Sequence, residues 1–114
     1  MIGKNPFLTS PPHEVEQALK ALGQNLRTAR LRRNWSLEEV AAKIGVDRHA
    51  VAHAERGKPT TSVAIYAGLL WALGMTGHLA QVADPMADEE GLLLAKGRER
   101  TNAYAGRRVL DNDF

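Results

Sequence analysis

The sequence predicts an all-α protein of about five helices with a C-terminal arm, and three observations carry that prediction. Apolar residues recur at steps of three and four, helix-opening residues stand before each such run, and no strand-like alternation is present up to residue 83. The expected organisation is an N-terminal arm over 1–12, a helical domain over 13–83 and a C-terminal extension over 84–114. A chain of 114 residues, 44% hydrophobic and 25% charged, buries only marginally enough surface by itself, so a dimer or a complex is expected.

Ser10 before Pro11 and Pro12 predicts the first helix start, because proline in the first turn loses no hydrogen bond and serine can cap free amides. Val15, Ala18, Leu19, Leu22, Leu26 and Ala29 then form one stripe, with Gly23 expected to loosen or break the helix midway. The next helix opens at Ser36, where S-x-x-E ending at Glu39 is a capping box, and turns Val40, Ala41 and Ile44 inward until Gly45 ends it. Asp47 caps a helix expected to run to about Glu55, and the loop RGKPTT leads to a further helix opened by Thr61 or Ser62. From Val63 to Leu73 that helix is apolar nearly all round, so one face belongs to the core and the other to a dimer contact. Tyr66, Leu70, Trp71 and Leu79 are the expected contact residues.

After Asp84-Pro85 the composition changes to an acidic start, a short apolar run, and basic residues among glycines. Asp88 is expected to cap a short helix carrying Leu92 to Leu94, or that run is a strand added to a partner, with a flexible arm beyond. In the ending RRVLDNDF, Arg107, Leu110 and Phe114 suit docking into a groove on another protein; the alternative is a tail folded back on its own dimer.

Bulk features exclude several classes. The absence of cysteine removes disulfides, thiolate nucleophiles and cysteine-ligated metals. MIGKNPFLTSPP lacks the flank and apolar run of a signal peptide, and VAIYAGLLWALGM is too short to span a bilayer, so a cytoplasmic protein is expected. His13, His49, His53 and His78 form no catalytic or metal triad, and neither an enzyme nor a cofactor is expected. Charge is uneven: residues 1–35 carry six Lys/Arg against two Asp/Glu, 36–62 four against four, and 63–114 five against seven. Within the basic front, Arg27, Arg30, Arg32 and Arg33 fit either a phosphate footprint or a solvated helix face.

The most specific signal is the spacing across the second and third predicted helices. A helix-turn-helix needs a small residue where the helices cross, a glycine at the reversal and a branched apolar residue to lock the second helix; Ala41, Gly45 and Val51 supply these, with Ala54 one turn later. The run LRTARLRRNWSLEEVAAKIGVDRHAVAHAERGKPTTSVAIYAGLLWALGM resembles the Cro/C1-type, or Xre-type, helix-turn-helix family of DNA-binding proteins, over roughly residues 15 to 75. Ser10-Pro11, Asn34-Trp35-Ser36, the Thr60-Thr61 pair ahead of Tyr66 and the L-x-x-L-G ending at Gly74 are similar to the antitoxin of Hip-type kinase toxin-antitoxin systems.

That resemblance implies a two-fold dimer on a palindromic double-stranded operator, a structural ion pair between Arg30 and Glu55, and, in the narrower case, a kinase toxin as partner. A stand-alone Xre-type or phage-like regulator is the alternative, and an adaptor that does not bind DNA a third. With Val51 and Ala54 inside, the outer side of the reading helix carries Arg48, His49, Ala52 and His53 as base readers, Arg48 best placed for a guanine and Ala52 for a thymine methyl. The spacing of His49 and His53 also fits zinc on a helix, a minor alternative without a third ligand. Arg33, Asn34, Ser36, Lys58, Thr61 and Ser62 are the expected backbone contacts. Leu37 in place of the family's glutamine, Ala52 in place of a common serine and Asp47 in place of serine or threonine predict modest affinity per half-site.

Overall fold

A computed structural model describes residues 5–109, and the described residues are helical with no strand. Among these residues seven α-helices follow in order: α1 (Pro6–Thr9), α2 (His13–Arg32), α3 (Leu37–Ile44), α4 (Arg48–Glu55), α5 (Val63–Ala72), α6 (Thr76–Ala80) and α7 (Glu89–Val109). The chain divides into two compact units, residues 1–79 and 80–114.

The N-terminal entry differs from expectation. Ser10 opens no helix; its backbone N–H donates to Pro6 O at 2.8 Å and closes α1, whose start is capped by Asn5. Two consecutive prolines hold the residues before them out of the helical region, so α2 begins only after Pro12, without a side-chain cap. Glu14 and Glu16 in its first turn favour the positive end of the helix dipole instead.

Gly23 does not break α2, which is continuous over 20 residues. A Cβ there would stand 2.5 Å from Glu55 O and 2.6 Å from Ala54 O, so the glycine lets α2 rest directly on the last turn of α4. Gly57 (φ +71°) makes the reciprocal approach, its added Cβ meeting Leu19 O at 2.5 Å.

Local caps set α3 to α5. Ser36 Oγ accepts from Glu39 N at 3.0 Å while Ser36 N donates to Glu39 Oε1 at 2.7 Å, completing the capping box. Gly45 in the left-handed region (φ 74°) ends α3, and Val46 N donates to Ala41 O at 3.1 Å, which fixes the tight turn. Asp47 Oδ1 accepts from Ala50 N at 3.0 Å and opens α4; of the two candidates for α5, Ser62 is the cap, accepting from Ile65 N at 3.3 Å.

The core joins Leu26, Val40, Ala41, Val51, Ala54, Tyr66, Leu69, Leu70 and Leu73. Tyr66 and Leu70, expected at a dimer contact, are therefore interior to the protomer, because α5 turns this side into the angle between α3 and α4. Leu79 is half-buried against the same core, whereas Trp71 is 62% exposed.

In the second unit a 3-10 turn (Pro85–Ala87), capped by Asp84, leads to α7. Among the described residues a long helix stands where a strand or a flexible arm was expected: α7 runs for 21 residues, opened by Asp88 Oδ1 accepting from Gly91 N at 3.0 Å. Good helix formers, an acidic first turn and basic later residues explain its length. Of the tail residues, Arg107 falls within α7, and Leu110 and Phe114 lie outside the described residues.

Candidate nucleic-acid interface

Helix α4 is divided lengthwise. Val51 and Ala54 are fully buried against α2, α3 and α5, which leaves Arg48, His49 and His53 exposed and Ala52 half-buried on the outer side. The two imidazole side chains make no hydrogen bond or ion pair among the described residues, and no group of three or more metal-binding side chains occurs there. Arg48 is engaged: its Nη1 donates to Glu38 Oε2 at 2.8 Å, with the side chains 56% and 62% exposed. That hydrogen bond, helped by Glu38's own backbone amide, holds the Glu38 carboxyl below the usual carboxylate range. Arg48 thus rests beside the start of α3, and any other partner on the outer side must share or displace Glu38.

The floor of the site is a second arginine–glutamate pair of a different kind. Arg30 Nε donates to Glu55 Oε2 at 2.6 Å, Nη2 to Glu55 Oε1 at 2.9 Å and Nη1 to the Trp35 carbonyl at 2.8 Å. The side chains are only 9% and 7% exposed, and the bonds to Glu55 outweigh burial in raising the guanidinium's pKa. This bidentate lock ties α2 to the end of α4 and sets the pose of α4.

The expected backbone contacts separate into free and occupied groups. Lys58 and Asn34 are exposed, Asn34 in the left-handed conformation (φ 58°) that asparagine tolerates, whereas Ser62 is exposed but accepts the α5 capping bond. Ser36 is exposed but accepts the α3 capping bond. Arg33 is not free for phosphate: Nη1 donates to Ala29 O at 2.8 Å and Nη2 to Leu73 O at 3.1 Å, so it closes the ends of helices. Thr61 is likewise withdrawn, its amide donating to Lys58 O at 3.0 Å and its hydroxyl buried beside the Tyr66 phenol. The available donors at that end are the first amides of α5, at Val63 and Ala64, which have no intrahelical partner.

Sequence reasoning missed a cleft of about 540 Å³ that adjoins the reading side. Lys20, Gln24 and Arg27 from α2, Leu37 from α3 and Ala52 and Arg56 at α4 line it, over the Arg30–Glu55 pair. Arg27 and Arg56 are exposed and make no ion pair among the described residues. The spacing of Lys20, Gln24 and Arg27, four then three, places them on one face of α2 and was the signal available in the sequence. Of the four clustered arginines, Arg27 faces the cleft, Arg30 is a buried lock, Arg33 is a cap just past α2 and Arg32 is exposed.

Two short helices joined by a glycine turn, the second clamped from behind and carrying basic and hydrogen-bonding groups on its open side, define a helix-turn-helix protein. The chain belongs to the helix-turn-helix domain family, whose model matches residues 21–82. No characterised protein and no solved structure matches the chain. Among the described residues no helix is long and apolar enough to cross a membrane.

Proposed function

We propose that the protein is a sequence-specific DNA-binding transcriptional regulator, a repressor that acts as a homodimer on a palindromic operator without catalysing a reaction. The observation that carries this reading is the outer side of α4, where Arg48, His49 and His53 stand exposed on a helix whose inner side is locked by Val51, Ala54 and Glu55. In this reading α4 enters the major groove, Arg48 contacts a guanine, and Ala52 rests against a thymine methyl. Lys58, Asn34, Ser36, Ser62 and the first amides of α5 hold one stretch of backbone. The cleft of Arg27 and Arg56 takes a phosphate on the other side, where Leu37 offers only its backbone. Half-site centres then lie about 34 Å apart.

The finer reading places the protein in the cytoplasm as the antitoxin of a Hip-type operon that also binds a kinase toxin. It is supported by Asn34-Trp35-Ser36, Thr60-Thr61 ahead of Tyr66, and the turn at Gly74. Selection of bound duplexes from a randomised pool, followed by footprinting, tests the DNA reading: a two-fold symmetric site is expected, and sequence-independent binding contradicts it. Co-expression with a kinase toxin, if one is encoded in the same operon, tests the antitoxin reading: growth is restored if it holds, and unchanged arrest or an operon without such a kinase contradicts it.

A further inference from the structure

The unit of residues 80–114 lies almost wholly beyond the family match at 21–82, and α7 is its main element. No α7 residue whose burial is described is buried, and Leu93 and Leu94, in its one run of large aliphatic residues, are 69% and 60% exposed. We propose that α7 pairs antiparallel with α7 of a second copy of this chain, with the two-fold axis at the level of Leu94.

The occupant and its direction follow from charge placement. At about 100° per residue, Glu90, Leu94 and Arg98 fall on one face at steps of four. In an antiparallel pair centred on Leu94, that leucine meets its own symmetry mate, and Glu90 meets Arg98 of the partner subunit on both sides of the axis. A parallel pair sets Glu90 against Glu90 and Arg98 against Arg98. Glu89 and Glu99 also come level in the antiparallel register, but they lie on the opposite side of the helix, in solvent.

Gly97 is the independent observation. It lies on the Leu94 face, has no positive φ and would meet nothing within 4 Å if given a Cβ, so the protomer supplies no reason for a glycine that weakens a helix interior. Close approach of a second helix supplies one. The acidic start and basic continuation of α7 also suit its own dipole, but the dipole accounts for neither Gly97 nor the open Leu94.

Sedimentation velocity of the full chain over a concentration series tests the pairing. The wild type is expected to be a reversible dimer, and L94D, E90R and R98E are each expected to weaken dimerisation about tenfold or more. E90R and R98E combined in one chain restore it, and an equimolar mixture of the two single variants forms a mixed dimer. G97A is expected to raise helix content while weakening the dimer. A wild type that is monomeric throughout overturns the proposal, as do single variants that associate like the wild type or a double swap that restores nothing. Binding of one operator half-site by the monomeric variants is read separately, so failure of the pairing and failure of the DNA reading are distinguishable.

Discussion

Replacing Glu55 with alanine removes both carboxylate oxygens from Arg30 and leaves its guanidinium with the Trp35 carbonyl alone. The exposure of the two side chains, 9% and 7%, decides the size of the effect. At that burial water from the adjoining cleft replaces the carboxylate only in part, and breaking such a pair costs about 3 to 5 kcal/mol. In a domain of this size each 1 kcal/mol lowers the melting temperature by about 4 to 8 °C, so Glu55→Ala is expected to lose at least about 10 °C. Thermal unfolding followed by far-UV circular dichroism measures this. Glu38→Ala is the internal control: its arginine pair is exposed and open to solvent, and its melting temperature is expected to stay close to wild type. A Glu55→Ala protein melting within about 2 °C of wild type, or no further from it than Glu38→Ala, refutes the lock.

The remaining expectations concern the reading side and are separable. Arg48→Ala is expected to cost about 1 to 3 kcal/mol of operator affinity and relax one base position, whereas Lys58→Ala weakens all duplexes alike; competition binding against mutated sites shows the difference, and identical specificity profiles contradict the assignment. If Arg27 and Arg56 seat a phosphate, changing both to glutamine lowers the slope of log affinity against log salt by about 1, and an unchanged slope removes the cleft from the footprint. The Glu38 carboxyl is depressed in the folded chain, so its ion pair contributes fully above its ordinary value of 4.5 and is lost only as pH falls through the lower folded value. An NMR titration is expected to show Glu38 protonating below an exposed glutamate in the same spectrum, with Arg48→Ala bringing it back; coincident titration in the wild type counts against the pair.

What was legible in the sequence was chemistry confined to a few neighbouring residues. Ser36 with Glu39, Gly45, and Asp47 all stand where their types place them, because a cap or a left-handed turn is decided within one turn of chain. Gly23 was illegible because its purpose is the backbone of Glu55, 32 residues later, which no local pattern encodes. The roles of Arg27, Arg30 and Arg33 diverge for the same reason: one helix turn apart, they meet a cleft, a carboxylate and two carbonyls contributed by other segments. Tyr66 and Leu70 were misplaced because α5 is apolar on every side, so its pattern held no information about which side the core takes. In α7 the glycines suggested looseness, and capping by Asp88 together with strong helix formers outweighed them.

The lengthwise division of α4 bears on how such a protein changes its target. The packing that fixes the helix in place, Val51, Ala54 and the Glu55 carboxylate, lies inward, the Asp47 cap holds its start, and the backbone contact at Gly23 fixes its last turn without using a side chain. His49, Ala52 and His53 hold nothing else in position. Substitution at these three positions is therefore nearly free of folding consequences, and if α4 reads DNA as proposed, a lineage carrying this scaffold can drift from one operator to another through folded, stable intermediates, with Arg48 and its Glu38 partner the one outer-side element whose replacement also disturbs a neighbour.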